Sequence, residues 1–573
     1  MKAETEPYQV PLLIFLSSFF IFLTFSGTRV FISDEGVILD QFYNFINGSL
    51  AVNISKISVG VMISIGDNIY GKFSYSLLVL SLPAYYILKA MDLIYGAHLF
   101  ILQLWALSGG FIVYLIAKIR KFKHAEPGAI ASYLILISIN LYLFRPIYFP
   151  KWGELLSIEF TNILISSFLI MVVYLLFKDF FGNKIAIFAS LLIIFATPVS
   201  FYAITLKHHS LTLLLTVLSF YFFHKYQEKK DTKLIYFAYI LGGLCLWTRI
   251  LDGAVLLASL LITDIIILRR KIRYIAIILI IILISMLPFF IFNYMISGDP
   301  VAIMDSYPMS NKPLVVLKGD NFIALGESLD AQQFDLLVRL GYGWNETIKI
   351  EWFDIFGYMF FFRLVNTFGI FLVSPFLIIS LAFGLAAVRR KITLNLMDKL
   401  LIIYVILFIV SSKNYLLSII IDTPLANEYR YLLILYIVLL YFGLRISRIK
   451  IMIENNLRQI ALLYGLILLA ALIYFIRAFP PPFLEIYYTA AMISSISLII
   501  VLSLVLSIQN KRPAAASLDK FVIFFIALSI AMGSIFLLFY YWVKSMTYVS
   551  PSQNFAVIPF MQTILEWMYR MTF

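Results

Sequence analysis

The chain is a succession of apolar runs long enough to cross a bilayer, with its Lys and Arg residues gathered into the short stretches between them. Of 573 residues, 62% are hydrophobic and only 13% charged, so no single core could hide the apolar side chains from water. Such a chain is a polytopic membrane protein. Backbone groups in lipid must be satisfied within each segment, and the runs lack the period-two alternation of barrel strands, so the expected fold class is all-α. Runs near 10–26, 98–117, 128–144, 160–177, 185–203, 210–224, 234–250, 253–268, 274–295, 357–388, 398–417, 430–444, 459–476, 486–508 and 520–543 predict about fifteen crossings.

Charge orients these spans. The net charge of +13 would point to nucleic acid in a soluble protein, but here the basic residues lie in clusters at 118–123, 178–184, 225–233, 269–273, 389–391, 445–458 and 511–512. With the spans above, every cluster falls on one side, which the positive-inside rule makes cytoplasmic. Nucleic acid is therefore not an expected partner. The apolar stretch Ser74–Leu93, broken by Pro83, would invert every later cluster if it crossed, so it reads as a re-entrant or interfacial segment on the outer side. The N-terminus is then cytoplasmic, with its first helix retained. Loops 27–73 and 296–356 face outward, in the plasma membrane or, for a eukaryotic chain, the endoplasmic reticulum. Three N-x-[ST] sequons, beginning at Asn47, Asn53 and Asn345, fall on those outer loops. One transmembrane domain over 1–573 is expected. It comprises a module at 10–295 that includes the external loop 27–97, an external loop with interfacial helices at 296–356, and further spans at 357–573. The single Cys245 excludes an intramolecular disulfide.

No Walker loop, CxxC pattern or dinucleotide fingerprint occurs, so any chemistry must come from helix ends and outer loops. Asp34-Glu35 follows the first span directly and sets carboxylates at the membrane surface, where one could take a proton from an acceptor hydroxyl. The plainer alternative is a solvated helix start, with Ser33 as N-cap and both acids favouring the dipole. Lys207-His208-His209, Arg249 and Arg430 lie at the same outer rim, where Arg offers a fork of donors to phosphate and Lys a point charge. Against this stands pairing of Arg249 with Asp252 one turn along, or snorkelling to headgroups. Adjacent histidines do not project to one side of a helix, so a joint metal site at His208 and His209 is not expected.

Taken together, several segments resemble the GT-C glycosyltransferase superfamily over most of the chain from 10 to about 445. They are Asp34-Glu35 after the first helix, the stretch from Gly71 to Pro83, Thr197-Pro198 followed by Lys207-His208-His209-Ser210, Leu241 to Arg249, Asn293 to Pro300, and Tyr429-Arg430-Tyr431. The sequence departs from the family pattern at Arg249-Ile250 and at Gly298-Asp299-Pro300. The resemblance implies an inverting hexosyltransferase, with mannosyl transfer as one case. Its donor is a polyprenyl- or dolichyl-phosphate sugar, and its acceptor a hydroxyl on a glycan, lipid or protein at the extracytoplasmic face. It implies Asp34 as general base beside Glu35, with Arg249, Arg430, Lys207 and His208 at the donor phosphate. No metal is needed in principle, and a divalent ion is left open. Membrane lipids complete the expected partners. The competing readings are a lipid-linked glycan transporter or flippase, and a polysaccharide ligase or polymerase.

Overall fold

A computed structural model describes residues 8–29, 35–52, 62–302, 360, 363–364, 367–389, 392–422, 429–478, 483–507, 514–547 and 556–572. The apolar runs become helices. In chain order these are α1 (Gln9–Thr24), α2 (Glu35–Ile46), α3 (Ser76–Ile94), α4 (Ala97–Ile119), α5 (Ala125–Tyr142), α6 (Phe149–Phe181), α7 (Asn183–Ala196), α8 (Val199–Tyr202), α9 (His209–Lys229), α10 (Thr232–Thr248), α11 (Ile250–Ile262), α12 (Ile272–Ser285) and α13 (Leu287–Ser297). Then follow α14 (Ile370–Val373), α15 (Ile379–Val388), α16 (Leu396–Asp422), α17 (Tyr429–Leu444), α18 (Ser447–Ala478), α19 (Phe483–Ser507), α20 (Ala514–Thr547) and α21 (Pro559–Thr572). Beyond the expected all-helical plan, a short antiparallel hairpin pairs β1 (Met62–Ile65) with β2 (Asn68–Gly71), and Arg363–Leu364 pairs with Thr367–Phe368.

Among the described residues seven helices are long and apolar enough to cross a membrane, with one further bent pair and six shorter apolar helices of 10–17 residues. The difference from the expected uniform crossings has local causes. The run at 274–295 bends by 43° between α12 and α13. Pro288 follows the bend, and its ring and missing N–H break the helical ladder there. The run at 357–388 carries the short Arg363–Leu364/Thr367–Phe368 pairing and then two short turns, α14 and a 3₁₀ segment at Pro375–Ile378, before α15. The run at 160–177 is the inner part of α6, which starts eleven residues earlier, at Phe149.

α3 runs unbroken through Pro83, contrary to the expected break. Leu77, Leu78, Ser81, Tyr85 and Leu88 form one buried stripe at helical spacing that holds it, while Leu80, Tyr86 and Ile87 face outward. Tyr75, just before it, stacks on Phe292 of α13 with centroids 5.1 Å apart, and Tyr85 packs on Phe149, the first residue of α6. α3 is itself one of the seven helices long and apolar enough to cross a membrane, where the sequence reading expects an interfacial segment. Most of segment 296–356, expected as an external loop with interfacial helices, lies outside the described residues.

Candidate active site

α6 is the spine of the site. Its first four turns carry Glu154, Glu159 and Asn162, all buried. Asn162 Nδ2 donates toward the carbonyls of Tyr202 (3.0 Å), Thr205 (2.8 Å) and Lys207 (3.2 Å), drawing the turn between α8 and α9 around one side-chain amide. One turn earlier, Glu159 Oε1 accepts the backbone N–H of Gly27 at 3.2 Å, on the stretch leaving α1. Arg29, next on that stretch, is buried and donates to the Tyr541 hydroxyl, which in turn donates to Phe25 O at 3.0 Å.

Glu35 opens α2 and is fully buried. Its Oε1 accepts the N–H of Leu206 at 3.0 Å, so the second acid of the expected pair fastens α2 to the turn that carries Lys207. A side chain buried this deeply is not the solvated helix start of the plainer alternative. Asp34 lies outside the described residues. Further along α2, Gln41 Nε2 donates to the carbonyls of Gly71 (3.2 Å) and Phe73 (3.0 Å), bringing the hairpin over the site. A Cβ at Gly71 would sit 2.3 Å from the Gln41 side chain, so this approach requires glycine.

Phe73 closes the site from that side. Lys207 Nζ lies 4.1 Å from its ring centroid, a cation–π contact within a buried pocket, and His208 packs against the same ring. His209 stacks on His208, and Arg249 Nη1 reaches His209 Nδ1 at 3.2 Å. Arg249 stands at the elbow between α10 and α11, where extended backbone (φ −151°, ψ 112°) turns one helix into the next. A Cβ at Gly253 would lie 2.2 Å from the Leu246 backbone, so only glycine lets α11 fold back this closely. Arg249 also pairs with Asp252 at 2.9 Å, as the one-turn pairing alternative expects. Lys207, His208, His209 and Arg249 are thus gathered with Glu35. Arg430 lies on the first turn of α17, and its side chain is outside the described set.

Glu159, Asn162 and Arg29 were not singled out by sequence reasoning. The available signal was Glu154 and Glu159 themselves, acids just ahead of an apolar run, where ionisable groups within a span mark function by default. A span expected to begin at 160 left both outside it. An apolar cavity of about 220 Å³ lies between α1, α7, α8, α18 and α20, lined by Phe22, Phe25, Phe201, Ile204, Leu538 and Tyr541 among others, Tyr541 being the residue whose hydroxyl Arg29 meets.

Among the described residues, the His/Asp/Glu set with ligand atoms converging as for a metal is Asp179, His224 and Glu228, at the opposite end of α6 and α9. Lys225 Nζ already lies 2.7 Å from Asp179 and 2.8 Å from Glu228, and its hydrogen bond holds the Glu228 carboxyl below the usual range. The Lys225 ammonium meets the negative charge there, and the set is remote from Glu35.

Residues 153–292, which carry Glu154, Glu159, Asn162, Lys207, His208 and Arg249, match the family model described as dolichyl-phosphate-mannose-protein mannosyltransferase. No curated protein matches the chain. Two crystal structures of ArnT from Cupriavidus metallidurans are similar to it, one in the apo state and one bound to undecaprenyl phosphate. They are 12% and 11% identical, cover 95% and 94% of this chain and 77% of theirs, and have TM-scores of 0.44. That likeness is too distant to carry a functional argument. The family match falls on the segment that forms the spine and the cationic turn of the site.

Proposed function

We propose that the protein transfers a sugar from a polyprenyl-phosphate carrier to an acceptor hydroxyl, with inversion at the anomeric carbon, at the extracytoplasmic face. The observation that carries this reading is the gathering of Lys207, His208 and Arg249 with Glu35 at one end of the bundle, joined through the Glu35 to Leu206 hydrogen bond. Fixed cations in a poorly hydrated site act strongly on charge that develops in a reaction. The match to a family described by its dolichyl-phosphate-mannose donor and the apolar cavity that Tyr541, the partner of Arg29, lines both favour a lipid-linked donor.

In this mechanism Asp34 takes the proton of the acceptor hydroxyl as its oxygen attacks C1 of the donor sugar on the face opposite the phosphate. The C1–O bond to phosphate breaks, and its electron pair leaves with the lipid phosphate. Arg249, Lys207 and Arg430 stabilise that growing anion, with His208 beside them. Glu35 orients α2, and with it the residue before it, against the 203–208 turn. No step requires a metal.

The test is single-turnover transfer by purified protein in membranes, from a panel of radiolabelled polyprenyl-phosphate hexoses, mannose among them, to glycan, lipid and peptide hydroxyls. Inverted product from at least one donor is expected. Transmembrane movement of labelled glycan without transfer would instead establish the transporter reading, and transfer of preassembled glycan chains the ligase. Topology is checked separately. On a Cys245→Ser background, Ile272→Cys should resist a membrane-impermeant thiol reagent in intact cells, since positive-inside orientation puts the 269–273 cluster in the cytoplasm. Labelling there would invert the proposed face.

A further inference from the structure

The residues just ahead of α21 are tied into the bundle by backbone pairing. Ala556 forms an antiparallel bridge with Gly27, and Val557 N–H donates to Ser26 O at 3.0 Å. Ala556, Val557 and Ile558 are all buried. α21 is anchored beyond them, because Phe560 N–H donates to Asn140 Oδ1 at 2.9 Å and Gln562 Oε1 accepts the Ala556 N–H at 2.9 Å.

Val557 O lies 2.6 Å from His98 Nε2, and His98 Nδ1 meets the backbone N–H of Ile147 at 3.2 Å. An amide nitrogen can only donate, so Nδ1 presents a lone pair and the ring proton is on Nε2. His98 therefore donates to Val557 O, and both of its nitrogens are spent on backbone. The Ser26–Gly27 stretch is thus gripped on two sides, by Val557 and Ala556 on one and by Glu159 on the Gly27 N–H on the other.

We infer that His98 is a positioning residue: through its Nε2 hydrogen bond it seats residues 556–558 as a strap on Ser26–Gly27, and so sets one end of the chain that runs on to Asp34. The other end is set by the Glu35 to Leu206 bond. This rests on the reading of Asp34 as base. A base displaced by about 1 Å can cost roughly 10²-fold in rate without touching the donor site.

The experiment compares His98→Gln, whose amide can place a donor near the Nε2 position, with His98→Asn, which ends nearer Nδ1 and loses the bond to Val557. Donor affinity and single-turnover transfer are measured for both. Seating of the strap is read independently of activity from the rate of disulfide formation by the Gly27→Cys/Ala556→Cys pair on a Cys245→Ser background. That pair is non-hydrogen-bonded, so its side chains approach closely enough for a bridge. His98→Asn should lower transfer by roughly 10- to 100-fold at unchanged donor affinity and slow disulfide formation, with His98→Gln near wild type in both. Oxidising the pair in the His98→Asn protein should restore transfer. Asn140→Ala, which frees the Phe560 anchor and leaves His98 intact, should slow disulfide formation too, and it serves if His98→Asn does not fold. Equal transfer and equal disulfide rates for the two His98 variants, no restoration on oxidation, or an unchanged rate for Asn140→Ala would overturn the inference. If the wild type transfers no sugar from any donor, the proposed function fails, and the disulfide rates still decide whether His98 seats the strap.

Discussion

Asp34→Asn should lower single-turnover sugar transfer by roughly 10²- to 10⁴-fold while donor affinity persists, the loss expected when a positioned general base is removed. The amide keeps the size and most of the hydrogen bonding of the carboxylate but cannot accept the proton. Glu35→Gln should behave differently. Its Oε1 can still accept the Leu206 N–H, so transfer should fall much less, whereas Glu35→Ala removes the fastening and strands that buried N–H. Equal rates for wild type and Asp34→Asn in the same membranes would reject Asp34 as the base. Glu159, the buried acid on Gly27 N–H, would then be the next carboxylate to test.

Arg249→Ala is expected to have two separable effects. Asp252, buried on the first turn of α11, is its ion-pair partner at 2.9 Å. Breaking a buried pair from one side costs about 3–5 kcal/mol, because a charge stays behind in a poor solvent for it. The single variant should therefore lose thermal stability as well as donor use. The double variant Arg249→Ala/Asp252→Ala removes the stranded carboxylate and should recover most of the stability. Donor affinity should stay depressed by roughly 10- to 100-fold, the worth of a lost hydrogen bond to a charged group. Detergent-resistant melting and donor titration on the three proteins separate the effects. A double variant that melts near wild type and keeps wild-type donor affinity would leave Arg249 as a helix-elbow tie and move the phosphate elsewhere.

Much of the architecture was legible in the sequence, because in lipid each apolar run must satisfy its own backbone and so becomes helix without regard to its neighbours. The same locality made the helix ends legible. Lys207, His208 and Arg249 fall where apolar runs end. Interruptions were less legible. Pro83 is carried inside an unbroken helix by its buried stripe, while Pro288 stands at a 43° bend, and the residue type alone does not distinguish these outcomes.

The sequence by itself determined that this is a polytopic helical membrane protein with its charged residues collected at helix ends. Only the tertiary structure decided which of those ends meet. Glu35 finds Leu206 across 171 residues, Glu159 finds Gly27 across 132, and His98 finds Val557 across 459. The partners in each case are backbone N–H or C=O groups, which every residue but proline offers alike, so no motif marks them. Which carbonyl or amide a buried side chain must satisfy depends on how the helices pack, and periodicity along one run carries no record of that.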